Sequence, residues 1–249
     1  MAAGPVDRPA KVSIRSAILD LDGTLLPGVL GAQYVHDLLD DGACAEGAGR
    51  ACADAIWRYG QADTARAEIL AEAYRLYAEA LHGTTLEQAR RTAVRTWRTC
   101  RERLFPFVHD LLDLLRAHRV HVYLLSGNSD LLIQEAVRDL GLSGGRGAVT
   151  EVVDGLLTRH LLCTPGLPGG KAAVLSELAE SGDVDPAGSL AIGNAVNDAE
   201  VFFESGAVVA FEPDPPLRDL AALHGWAVAD RTTILHTGSR LLGTAPHGH

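Results

Sequence analysis

The chain has 249 residues, of which 47% are hydrophobic and 22% charged, and its formal net charge is −10. That balance is ordinary for globular proteins and excludes a collagen-like, disordered or coiled-coil chain; the acidic surface repels polyanions, which argues against nucleic acid or an anionic membrane as a partner. No apolar run approaches the roughly 18 residues that span a bilayer, and residues 1–11 lack the charged start and apolar centre of a secretory leader, so the expectation is a soluble, cytoplasmic protein.

Residues 1–12 read as a flexible tail. Ser13 to Leu19 reads as a strand, and its unbroken Ala17-Ile18-Leu19 suits burial on both faces. Asp22-Gly23-Thr24 and Pro27-Gly28 are turn signals. Over residues 28–105 strand signals vanish. Ile69, Leu70, Ala73, Leu76, Tyr77 and Ala80 follow helical spacing, and Thr85 with Gln88 predicts a capping box. After Pro106 helices and strands alternate. Helices are predicted at Phe107–His118, Asp130–Leu140 and Lys171–Ser181. Strands are predicted at Val120–Leu125, Leu190–Ile192, Ala207–Phe211 and Trp226–Val228. Val149–Val153 and Leu156–Leu162 form a hairpin around Asp154-Gly155. Residues 237–249 read as a second flexible tail. The fold class is therefore α/β: a Rossmann-like, mainly parallel sheet core from 13–27 plus 106–236, with an all-helical domain inserted at 28–105.

In open α/β sheets the site lies beyond the carboxyl ends of the strands. Four polar clusters fall at such places: Asp20-Leu21-Asp22-Gly23-Thr24, Ser126-Gly127-Asn128, Lys171, and Gly193-Asn194-Ala195-Val196-Asn197-Asp198. Two carboxylates one residue apart can divide labour, one as nucleophile and one handling a proton. A carboxylate that attacks an anion needs positive charge nearby. Lys171 is one source, and magnesium held by Asp20 and oxygens around Asn194 to Asp198 is the other. Ser126 and adjacent backbone N–H groups offer donors for phosphate oxygens. These parts suit phosphoryl transfer.

Each cluster also has a plain reading. Asp-Gly is common turn chemistry, Ser126 can cap the helix at 130, a lone lysine at a helix start is usually solvated, and Asn197 and Asp198 can cap a helix. Their joint occurrence in order outweighs those readings. Cys44, Cys52, Cys100 and Cys163 show no metal or disulfide spacing and read as buried thiols. Trp57, Tyr59, Tyr74 and Trp97 read as packing residues. Gly170-Lys171 is no phosphate-binding loop, because Pro165 and Ala172 stand where Gly and Ser or Thr are required.

Across roughly residues 13–212 the four clusters, in this order, resemble the four motifs of the haloacid dehalogenase superfamily. The helical insert is similar to its C1-type cap, and the hairpin before Lys171 to its phosphoserine-phosphatase-like branch. The resemblance implies a magnesium-dependent phosphatase acting on a small-molecule phosphate ester. Asp20 would form an aspartyl-phosphate, and Asp22 would protonate the leaving alcohol and then activate water. Ser126, Gly127 and Lys171 would bind the phosphoryl group. Asp20, the Asp22 carbonyl, Asn194 and Asp198 would hold the metal, supported by Thr24 and Asn197. Two departures matter. Asn194 stands where the family usually has Asp, which removes a charge from the metal site. The stretch Leu25 to Leu30 lacks the acid with which phosphoserine phosphatases hold an amino group, which disfavours phosphoserine and suits an apolar or neutral leaving group. A phosphotransferase or phosphomutase, and a catalytically degenerate phospho-ligand binding module, are the rival readings. No feature of the sequence sets an oligomeric state.

Overall fold

A computed structural model describes residues 13–62 and 66–243; the tail expected at 1–12 and residues 244–249 lie outside the described residues. The first strand, β1 (Ser16–Leu19), is followed by four helices: α1 (Leu30–Asp40), α2 (Glu46–Gln61), α3 (Arg66–Leu81) and α4 (Leu86–Cys100). The chain then alternates through α5 (Val108–Ala117), β2 (His121–Ser129), α6 (Asp130–Leu140), β3 (Gly144–Val153), β4 (Leu156–Cys163), α7 (Gly170–Glu180) and β5 (Ser189–Gly193). It closes with α8 (Ala199–Phe202), β6 (Ala207–Phe211), α9 (Pro215–His224), β7 (Ala227–Ala229) and α10 (Ile234–Leu242). No described helix is long and apolar enough to cross a membrane.

The seven strands form one sheet in the order β4-β3-β2-β1-β5-β6-β7. All neighbours are parallel except β4, which folds back antiparallel on β3. β1 is central and buried throughout, and its residues alternate between two cores. Ala17 and Leu19 join Leu111 and Leu115 of α5, Leu132 and Ile133 of α6, and Ile234 of α10. Ile18 joins Val174 of α7, Phe202 of α8 and Leu217 of α9. Helices thus cover both faces, which is why β1 reads as a continuous apolar run.

Local signals set several element ends. Thr85 and Gln88 cap α4 reciprocally, as predicted. Gly141, at φ +61°, stops α6. Asp214 caps α9 by accepting from Leu217 N at 2.9 Å, with a proline at the start of the helix.

Two expectations are corrected. The strand expected at Val149–Val153 begins earlier, at Gly144, where Gly144 to Arg146 are in register with Tyr123 to Leu125 of β2. A Cβ at Gly145 would come within 2.8 Å of the Leu124 carbonyl, so glycine there permits the close approach of the two strands. The expected tail from 237 onward is helical as far as Leu242. Thr237 is buried, and Gly238 lies against Leu111 and Leu114 of α5. A short helix with a glycine inside offers little periodicity to read.

The helical segment is fastened to the sheet on two sides. Glu79 of α3 pairs with Arg159 of β4 at 2.6 Å. Trp97 of α4 donates to Asp139 of α6 at 3.1 Å. A cavity of about 340 Å³ lies between the helices, the end of β2 and the loops that follow β1 and β5.

Candidate active site

Asp20 leaves the carboxyl end of β1, where its N–H donates to Ile192 of β5 at 3.0 Å. The chain then turns sharply, with the amides of Leu25 and Leu26 both bonded to the Leu21 carbonyl. Gly23 sits at φ +79°, and a Cβ on it would run into the side-chain amide of Asn194. A side chain at position 23 would therefore displace Asn194.

Lys171, in the first turn of α7, is only 2% exposed. Its ammonium donates to Asp20 Oδ1 at 2.8 Å and also to Asp198 Oδ1. Burial works against its charge, but Asp198 and Asp20 more than offset that and raise its pKa. Asp198 turns its other oxygen to the amides of Asn194 and Ala195, at 2.8 and 2.9 Å. The acid expected as a metal ligand therefore has both oxygens engaged in fixing Lys171 and the loop after β5. Asn194, Ala195 and Asn197 of that loop line the cavity, whereas Asp198 does not. Thr24 donates to Asp20 Oδ2 at 3.1 Å, and its hydroxyl lies 3.4 Å from Asn194 Oδ1.

Asp22 has different partners. Its Oδ1 accepts the N–H of Leu30, the first residue of α1, at 3.0 Å, and its Oδ2 accepts from Asn128 Nδ2 at 2.9 Å. Among the described residues no ammonium touches it. Burial pushes its carboxyl up to about 7, against the lowering effect of the Leu30 N–H. Burial also pushes Asp20 up, to about 6, opposed by the Lys171 charge. The two neighbours are thus held differently: Lys171 favours the charged form of Asp20, while neutral donors hold Asp22.

Ser126 accepts from Asn128 Nδ2 at 3.0 Å and from the Asn128 N–H at 3.3 Å. Both contacts arrive at its oxygen and leave its proton for another acceptor. The adjacent Gly127 carbonyl is held by the Tyr74 hydroxyl at 2.7 Å, and the same hydroxyl accepts from Gly166 N at 3.1 Å. One side chain of α3 therefore fixes two loops of the sheet.

Sequence reasoning assigned no role to Asn128, which links Asp22 to Ser126, and read Tyr74 and Tyr59 as packing. Both tyrosines line the cavity. Trp97 is buried packing, and Trp57 is 64% exposed. Tyr74→Phe strands two buried backbone groups, a cost of about 1–3 kcal/mol. The expected result is a Tm several degrees lower; an unchanged Tm would show that water replaces the hydroxyl.

A family model described as haloacid dehalogenase-like hydrolase matches residues 17–202, which contain all four clusters. The chain belongs to this family. Within it, phosphoserine phosphatase SerB1 of Mycobacterium tuberculosis is 33% identical over 109 residues, covering 44% of this chain and 35% of that protein. The match spans little more than a third of the length of such curated relatives. A solved Bordetella pertussis protein of unknown function superposes with a TM-score of 0.71 at 23% identity, over 88% of this chain and 99% of that one. A substrate-bound phosphoserine phosphatase superposes at 0.61 and 18% identity, over 89% of this chain and 97% of that one. Such likenesses establish a haloacid dehalogenase-like fold for the chain.

Proposed function

We propose that the protein is a phosphomonoesterase that works through an aspartyl-phosphate on Asp20. The observation that carries this reading is the unequal treatment of two neighbouring acids: Asp20 is clamped by Lys171 and Thr24, while Asp22 accepts from the neutral Leu30 N–H and Asn128 amide. In the first half-reaction an oxygen of Asp20 bonds to phosphorus, the bond from phosphorus to the leaving oxygen breaks, and Asp22 gives that oxygen its proton. In the second, Asp22 takes a proton from water as the water oxygen bonds to phosphorus, and Asp20 leaves as carboxylate. The sum is ester plus water to alcohol plus phosphate. Ser126 and the Gly127 N–H would receive the phosphoryl oxygens, and Lys171 would keep Asp20 ionised. The helical segment 28–105 would act as a cap that selects the leaving group and keeps bulk water out of the first step.

Magnesium suits the donor set. Asp20 and Asp198 are buried on a single ammonium and the partly buried Asp22 lies beside them, so the three acids carry two uncompensated negative charges when all are ionised, which a dication balances. The available donors are hard oxygens, which magnesium prefers. Asp20 and Asn194 Oδ1 would hold the ion with the Asp22 carbonyl, and Asp198 would position Lys171 rather than ligate. Among the described residues no three His, Cys, Asp or Glu side chains converge as a metal site, and the set proposed here has one carboxylate, one amide oxygen and one backbone carbonyl. When bound, the ion would supply charge that offsets the repulsion between Asp20 and the phosphoryl oxygens.

The reading is tested by phosphate release from a broad panel of phosphomonoesters with and without magnesium. Magnesium-dependent release supports it. Phosphate binding with no release from any ester would favour the binding module instead. Asn194→Asp restores a full charge at the ligand, and the expected outcome is at least about tenfold tighter magnesium binding. An unchanged titration would remove Asn194 from the ligand set.

A further inference from the structure

The cavity that opens above Asp20 and Asp22 is walled on its far side by Tyr34, Val35, Ile56, Leu70, Tyr74 and Tyr77, from helices α1, α2 and α3. The polar ends of these walls are already used. Tyr34 donates to the Ala89 carbonyl at 2.9 Å, and Tyr74 spans Gly127 and Gly166. The thiol of Cys52, also in the wall, donates to the Ala73 carbonyl at 3.5 Å. Tyr34 and Tyr74 therefore offer a ligand ring surface rather than hydroxyl groups.

Charge in the wall is equally committed. Among the described residues that line the cavity, Asp20 and Asp22 are the only acids and Arg66 the only cation. Arg66 pairs with Asp214 at 3.4 Å and lies over the Tyr59 ring at 4.7 Å. An ammonium brought into this chamber meets no described carboxylate outside the catalytic pair. Stripping water from an unpaired charge is unfavourable, whereas covering a ring or branched chain with these walls is favourable. At about 340 Å³ the cavity is at the small end of ligand sites, sized for a phosphoryl group and a ring-sized body.

We propose that the substrate is a phosphate monoester whose alcohol carries an uncharged, apolar body, packed against the tyrosine, isoleucine and leucine walls. This rests on the phosphomonoesterase reading for turnover, but the walls can be tested without it. Turnover of benzyl phosphate is compared with O-phosphoserine under magnesium. Binding of benzylphosphonate is compared with methylphosphonate by calorimetry, since neither phosphonate can be hydrolysed. The expected results are kcat/KM at least about tenfold higher for benzyl phosphate, and binding at least about tenfold tighter for benzylphosphonate. Leu70→Ala and, separately, Ile56→Asp should each shrink the benzyl-over-methyl binding ratio by about threefold or more. The two variants lie on different helices, so one that fails to fold leaves the other informative.

The outcomes separate the two ideas. Phosphoserine turned over as well as benzyl phosphate, with equal phosphonate affinities, overturns the apolar assignment and leaves the phosphatase standing. Tight benzylphosphonate binding with no turnover of any ester keeps the apolar assignment and removes the phosphatase reading. Equal phosphonate affinities with no turnover remove both.

Discussion

Asp20→Asn is expected to fold normally and to release phosphate at least about 10⁴-fold more slowly than the wild type. Asparagine keeps the shape of the side chain and still accepts from Thr24 or Lys171, so the turn after β1 persists. It also removes one of three neighbouring acids, which relieves repulsion with Asp22 and Asp198. The expected Tm is therefore equal to or above that of the wild type, while the amide can neither attack phosphorus nor leave from it. Turnover near the wild-type rate in this variant would remove Asp20 as the nucleophile.

Lys171→Met is expected to damage both folding and activity. The ammonium is the shared partner of Asp20 and Asp198, and all three groups are buried. Taking one partner out of a buried ion cluster leaves uncompensated charge and typically costs about 3–5 kcal/mol. The sign of the pH effect follows from the shifts. Burial raises Asp20 to about 6 and Asp22 to about 7, above the ordinary 3.8. Between those values the folded state binds protons that the unfolded chain has released, so stability falls as pH rises through roughly 4 to 7. Metal-free wild type should therefore unfold at lower denaturant concentration at pH 8 than at pH 5. Lys171→Met, which lacks the charge that restrains Asp20, should show a larger difference between the two. Urea titrations with a chelator present test this; equal midpoints at the two pH values in both proteins would contradict the electrostatic account.

Much of this arrangement is legible in the residues themselves. Helix α6 spans Asp130 to Leu140 as its periodicity predicts, and β6 spans Ala207 to Phe211, because in both the packing pattern and the stop signals agree locally. The clusters at 20–24, 126–128, 171 and 193–198 meet because all lie at one end of a parallel sheet, a consequence of topology that spacing alone implies. What was not legible depends on contacts between distant residues. Tyr74 reaches Gly127 and Gly166 across 53 and 92 residues of chain, and nothing near position 74 announces it. Asn128 differs from an ordinary asparagine only because Asp22, in the turn after β1, faces it. The role of Asp198 follows from which way its carboxylate points, which depends on the backbone of 194–195 and on Lys171. The glycines of β3 look like a loop until the closeness of β2 gives them a reason.

The claim on which the account turns is that phosphorus passes through Asp20. The most direct measurement is acid quench of the magnesium-loaded enzyme within a few turnovers of an ester that it hydrolyses, followed by peptide mass spectrometry. The account predicts a phosphoryl group on the peptide containing Asp20, absent from Asp20→Asn. Phosphate release with the label on another residue, or steady turnover by Asp20→Asn, would contradict it.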